Sequence, residues 1–161
     1  MPPELTVRPL TEDDRELLRT ATLANLDWAG TQRFTSRDVE ETPAFRHYTD
    51  LRPERGDLGF VAERAGRTVG VVWLLFLGSD DPGYGFVADG VPELGLSVWP
   101  GHRGQGIGGH LLRRALAESR RRGLPRVSLS VEPANPAVHL YRAVGFTPVP
   151  GAADGTLAVD L

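Results

Sequence analysis

Apolar residues recur along this chain with two periods, and the switches between them mark out its elements. Leu5 to Leu10 alternates and predicts a first strand. Thr11 then heads a helical run whose early Glu12, Asp13 and Asp14 suit the positive end of a helix, with Leu17, Leu18, Ala21 and Leu26 as its inward face. The pattern weakens from Asp27 to Gly56, where Ser36 is a candidate cap for a second helix containing Pro43, and where Phe34, Phe45, His47 and Tyr48 supply aromatic surface. Phe60 to Glu63 and Thr68 to Leu77 flank Arg64-Ala65-Gly66-Arg67, a hairpin signal. The second of these runs, Val69 to Phe76, is apolar on both faces, as a central strand covered on both sides would be.

A turn-rich stretch from Gly78 to Gly90 leads to a strand at 93–99, ended by Pro100. The helical spacing of Ile107, Leu111, Leu112, Ala115 and Leu116 follows, stopped by Gly123 with Pro125 beyond it. Clean alternation predicts a strand at 126–131, and Asn135-Pro136 reads as a cap and first residue of a short helix closed by Gly145. Phe146 to Val149 and Thr156 to Leu161 supply two last strands. The order is β-α-α-β-β-β-α-β-α-β-β, with no repeat or linker, and 161 residues fit a single domain spanning 1–161.

Composition removes several classes of function. With no cysteine there is no disulfide, thiolate nucleophile or cysteine metal site, and His47, His102, His110 and His139 lack close ligand pairs, so no metal is expected. No stretch approaches the roughly 20 apolar residues of a membrane span, and Met1-Pro2-Pro3-Glu4 lacks the regions of a signal peptide, so the expected setting is cytoplasmic and no membrane partner is expected. A net charge of -3 gives no general reason to expect nucleic acid. Its distribution is uneven, because residues 113–126 carry a local net charge of +5 while 79–93 carry Asp80, Asp81, Asp89 and Glu93 with no basic residue. The first run is a solvated helix face or a source of positive potential for a phosphorylated ligand. The second is a solvated loop or a surface that favours a cationic substrate. All eighteen basic residues are arginine, a usage that with abundant Gly and Pro matches GC-rich bacterial genomes.

The segment Arg103-Gly104-Gln105-Gly106-Ile107-Gly108-Gly109 joins a strand to a helix and leaves backbone N–H groups uncovered where the helix dipole is positive, which suits a phosphate. A flexible turn is the plainer reading, although a turn needs one or two glycines rather than four. The alternating spacing is a weak match to a dinucleotide fingerprint, and a nucleoside-triphosphate loop needs a lysine that this chain lacks. The remaining [RQ]-x-x-G-x-[GA] pattern, together with Asn135, Val138, Leu140, Tyr141, Gly145 and Phe146 downstream, resembles the GCN5-related N-acetyltransferase (GNAT) superfamily, and the order of elements is similar to its fold over nearly the whole chain.

That resemblance implies an α/β (α+β) architecture with a mixed central sheet of about seven strands, splayed between the strands at 93–99 and 126–131, and about four helices. It implies acetyl-CoA as co-substrate, its pyrophosphate held by Arg103, Gly104, Gln105, Gly106, Ile107, Gly108 and Gly109, and its pantetheine arm paired with Leu96, Ser97 and Val98 and touched by Asn135. By the same resemblance Tyr141 protonates the departing thiolate, although taken alone a tyrosine there is usually a core residue. Glu93 is the candidate general base, sharing a strand face with Gly95, Ser97 and Trp99, or else an exposed strand-end charge. His102 and His47 are reserve bases or ordinary packing histidines. The implied activity is direct, ternary-complex transfer of acetyl to a primary amine of a small molecule or peptide, with a possible homodimer. A non-catalytic acyl-CoA-binding or sensor module is the alternative, and a nucleotide-binding regulatory domain a weaker third. The acceptor depends on Asp27 to Gly56 and Gly78 to Gly90, which match no motif.

Overall fold

The structure, a computed structural model, describes residues 4–161; Met1 to Pro3, part of the segment read for a leader sequence, lie outside the described residues. Strand β1 (Leu5–Pro9) leads through a single 3-10 turn into helix α1 (Arg15–Leu26), followed by α2 (Ser36–Glu41) and α3 (Pro43–Arg46). Strands β2 (Leu58–Arg64), β3 (Arg67–Leu75) and β4 (Glu93–Val98) precede the long helix α4 (Ile107–Arg121). The chain closes with β5 (Arg126–Ser130), α5 (Ala137–Val144), β6 (Thr147–Pro148) and β7 (Thr156–Asp160). One sheet holds all seven strands in the order β1-β2-β3-β4-β5-β7-β6, antiparallel throughout except for the parallel pair β4 and β5. No described helix is long and apolar enough to cross a membrane.

Local chemistry explains where the elements begin and end. Thr11 and Asp14 form a capping box, Thr11 receiving the Asp13 N–H and Asp14 reaching back to the Thr11 N–H at 2.8 Å. The second helix departs from expectation in two ways. Its cap is Thr35 rather than Ser36, because Asp38 stands three residues after Thr35 and completes a capping box with it. Nor does that helix contain Pro43. The residue before a proline is pushed out of the helical region, so Thr42 sits at φ -99°, ψ 112° and Pro43 starts a new turn. The described helices therefore number five rather than four. The hairpin between β2 and β3 forms as expected, with Ala65 (φ 50°) and Gly66 (φ 74°) both left-handed in its two-residue turn.

Alternation along the strands builds a core on each face of the sheet. Phe60, Val72, Leu74, Leu94, Val127 and Leu129 face Leu111, Leu112, Ala115 and Leu116 of α4. On the other face Val61, Val71, Trp73 and Leu75 meet Leu18 and Ala21 of α1. β3 is buried from Val69 to Leu75, as its uninterrupted apolar run requires. β4 follows β3 in register from Glu93 to Val98, but only Glu93 pairs with β5, at Ser128. The sheet is thus open between β4 and β5, on the side towards α4's N-terminus.

Candidate active site

Beyond β4 the chain turns at Gly101 (φ 88°), Gly104 (φ 75°) and Gly106 (φ 82°) before entering α4. A Cβ at any of the three would meet no atom within 4 Å, so packing does not call for glycine there. The left-handed backbone does, and it leaves the loop uncovered. The His110 N–H bonds the Gly106 carbonyl at 3.0 Å, which leaves the N–H groups of Ile107, Gly108 and Gly109 without intrahelical acceptors. No acidic residue occupies the first turn of α4, so its positive end is uncompensated and suits an anion. Gly108 allows close approach, since a Cβ there would lie 3.3 Å from Leu140 and 3.6 Å from Val98.

Neighbours brace the loop from both sides. The Arg103 Nε–H donates to the Val98 carbonyl at 3.0 Å, and the Gln105 side chain donates to the Gly101 carbonyl at 3.4 Å while accepting from Arg64 of β2. Gln105 stands apart from the other loop residues, because it does not line the adjoining cavity. Ile107 turns its side chain into the core and offers the site only its backbone.

The Trp99 N–H bonds the Val69 carbonyl at 2.8 Å, which fixes the phase of hydrogen bonding along β4. Alternate residues bond β3, so the backbone groups of Leu96 and Val98 turn towards β5, where the strands have separated. Leu96, Ser97 and Val98 all line the cleft that results. Across it, Asn135 accepts the Ala137 N–H at 3.0 Å and caps α5, with Pro136 already helical at φ -57°, ψ -22°. Tyr141 lines the same cleft from α5, its ring edge-on to Phe146 at 5.9 Å. Burial pushes its phenol well above the ordinary range, so it holds its proton at neutral pH.

Glu93 is not an exposed strand-end charge. It is 5% exposed, and its carboxylate accepts the Gly85 N–H from the 78–90 loop. That loop is held in turn by the Ser128 hydroxyl, which donates to the Gly85 carbonyl at 2.7 Å, and by the Tyr48 hydroxyl, which accepts the Tyr84 N–H at 2.8 Å. Gly83 lies against both groups: a Cβ there would stand 2.6 Å from the Tyr48 oxygen and 2.7 Å from Glu93 Oε1. Loss of water raises the Glu93 pKa above its usual range, partly offset by hydrogen bonds from Tyr48 and the Gly85 N–H.

One cavity of about 1010 Å³ joins Glu93 to the glycine loop and to Tyr141. Its far end is built by residues that sequence motifs did not reach, among them Trp28, Phe34, Phe45, Tyr48, Trp73 and Tyr84. Trp73 forms part of its wall because Gly95, directly opposite in register, leaves room; a Cβ at Gly95 would come within 2.7 Å of the indole. Its Nε1–H donates to the Tyr48 carbonyl at 3.1 Å. At the rim, Trp28 donates to Glu132 at 2.9 Å and Arg33 pairs with the same carboxylate at 3.7 Å. Of the reserve bases, His102 lines this cavity, whereas His47 faces a different pocket with Nδ1 3.0 Å from Asp81. Among the described residues no group of His, Cys, Asp and Glu is arranged to hold a metal.

The fold is shared with known proteins. A family model described as "Acetyltransferase (GNAT) family" matches residues 20–146. Among curated relatives, a streptothricin acetyltransferase of Streptomyces lavendulae is 48% identical over 52 residues, covering 32% of this chain and 28% of that protein. A mycothiol acetyltransferase of Thermobifida fusca is 34% identical over 138 residues, covering 83% of this chain and 40% of the relative. The chain therefore spans less than half the length of these relatives. Among solved structures, the GNAT domain of S. lividans PAT is 27% identical with a TM-score of 0.68, covering 96% of this chain and 89% of that one. A GNAT family acetyltransferase from Brucella melitensis in complex with acetyl-CoA is 24% identical with a TM-score of 0.64, covering 98% and 88%.

Proposed function

The chain belongs to the GNAT family of acetyltransferases, and from that premise we propose that it transfers the acetyl group of acetyl-CoA directly to a primary amine within a ternary complex. The observation that carries the proposal is the joining, in one cavity, of an open anion-accepting loop, a strand edge without a partner and a buried carboxylate. The residues fit the donor. Gly104 and Gly106 leave an uncovered backbone at the N-terminus of α4 for a pyrophosphate, Arg103, Gly108 and Gly109 flank it, and Gln105 braces the loop from outside the cavity. The Leu96 backbone and the Val98 N–H offer unpaired groups to an extended amide-bearing arm, the Val98 carbonyl being taken by Arg103, with Ser97 and Asn135 beside it. Such a donor also implies a cytoplasmic setting.

Bound acetyl-CoA supplies an electrophilic thioester carbonyl. The chain's own groups then have three tasks. Glu93 takes a proton from the acceptor ammonium, directly or through water, so that the nitrogen lone pair is free to form the C–N bond. The Val98 N–H, turned into the strand gap, is placed to stabilise negative charge on the acetyl oxygen. Tyr141 gives its phenolic proton to sulfur as the C–S bond breaks, and regains one from solvent. No covalent enzyme intermediate is needed.

Incubation with acetyl-CoA and a panel of primary amines, followed by free-thiol release, tests the proposal. We expect turnover above the blank for at least one amine, reduced about 10²-fold or more in Tyr141→Phe. Calorimetric binding of CoA with no turnover on any amine would instead favour a non-catalytic acyl-CoA sensor.

A further inference from the structure

We propose that the acceptor is a primary amine carried on a flat apolar body, without a carboxylate of its own, its ammonium directed at Glu93. The inference rests on the acetyl-transfer reading and concerns only the far end of the cavity. Three aromatic rings from separate segments form one wall there: Phe34 stands edge-on to Phe45 at 5.3 Å, and Tyr84 continues the series at 6.4 Å. Tyr84 is 58% exposed, a large ring left at the mouth rather than packed into the protein. Trp73, buried and packed over Gly95, backs this end from behind. Aromatic faces and edges suit planar apolar groups, and their negative faces also favour a nearby ammonium.

Charge narrows the class further. The inner part of this end presents the Glu93 carboxylate, and Glu132 adds a second at the rim. Among the described residues that line it, the cation is Arg33, already paired with Glu132 at 3.7 Å and placed over the Phe34 ring at 5.6 Å. Arg103 and Arg113 belong to the donor end, beside the glycine loop, as does His102, the residue before Arg103. An amino acid entering amine-first would carry its carboxylate towards Glu93 with no cation to meet it. A buried charge left unpaired is strongly disfavoured, so such acceptors are rejected more firmly than a change in size alone would achieve.

The test uses the intact protein, acetyl-CoA and four probes: 2-phenylethylamine, phenylalanine, butylamine and spermidine. We expect kcat/KM for 2-phenylethylamine to exceed each of the others by at least tenfold. Phe45→Ala and Tyr84→Ala should collapse the preference over butylamine to about threefold or less, chiefly through KM, with acetyl-CoA affinity reporting that the fold is kept. Equal or better use of phenylalanine, butylamine or spermidine overturns the proposal while leaving acetyl transfer intact. So does an undiminished preference in both variants. If no amine turns over, calorimetry on the CoA-loaded protein decides: tighter binding of 2-phenylethylamine than of phenylalanine supports the substrate class even as transfer fails, and absent or reversed binding overturns it.

Discussion

Glu93 is pulled in two directions, since burial favours its protonated form while Tyr48 and the Gly85 N–H favour the carboxylate. Burial prevails, and the folded pKa stands above that of the unfolded chain. The contribution to stability is then complete below about pH 4, near the ordinary glutamate value, and is lost as pH rises through the raised folded value. We therefore expect Glu93→Gln to melt above the parent protein at pH 8, with the gap closing towards pH 4 in a thermal scan, while acetyl transfer falls about 10²-fold. Activity of the parent should rise with pH along an acid limb centred above the usual carboxylate range. Tyr48→Phe removes a hydrogen bond that lowers the Glu93 pKa, so that limb should move to higher pH in a kcat/KM profile; an unmoved limb would rule out Glu93 as its source. Of the cleft lining, Arg103, Gly104, Gly106 to Gly109, Asn135 and Tyr141 were legible in the sequence because each motif is contiguous. The surroundings of Glu93 were not, since Tyr48, Gly83, Gly85 and Ser128 meet only when β4, β5, the turn at 47–49 and the 78–90 loop assemble.

Elements were legible to the extent that their signals were local. The β2–β3 hairpin follows from Ala65-Gly66 between apolar runs, but the structure adds that Ala65 is left-handed at φ 50°, a conformation costing a non-glycine residue about 1–2 kcal/mol. Asn accepts it more readily and is favoured before Gly in such turns. Ala65→Asn should raise stability by about 0.5–1 kcal/mol in chemical denaturation, with transfer activity unaltered. The break at Pro43 and the choice of Thr35 over Ser36 were also written in the chain. Proline's effect on the preceding residue, and an acid three positions after the capping hydroxyl, decide each point. Different physics governs the parting of β4 from β5. Both segments alternate as any strand does, and nothing in either pattern shows that their pairing ends after Glu93 and Ser128.

At the scale of the whole molecule, that parting divides the sheet into β1-β2-β3-β4 and β5-β7-β6, joined by one registered pair and covered on one face by α4. A ligand that fills the gap binds only the folded chain, so CoA at a hundred times its dissociation constant should stabilise it by about 2.7 kcal/mol, read as a rise in melting temperature. Gly106→Val, forced into a left-handed backbone at φ 82° and projecting into open space, should lose most of that ligand-dependent rise. On the acetyl-transfer reading proposed above, the same cavity also separates its two duties by chain segment. The donor end is drawn from β4, α4 and α5, whereas the aromatic end comes mainly from residues 27–48 and 78–90. Those two segments are exchangeable parts in a way the glycine loop is not. Inheritance, or an engineer grafting at their borders, can alter which amine is recognised while the machinery for the donor passes on unchanged.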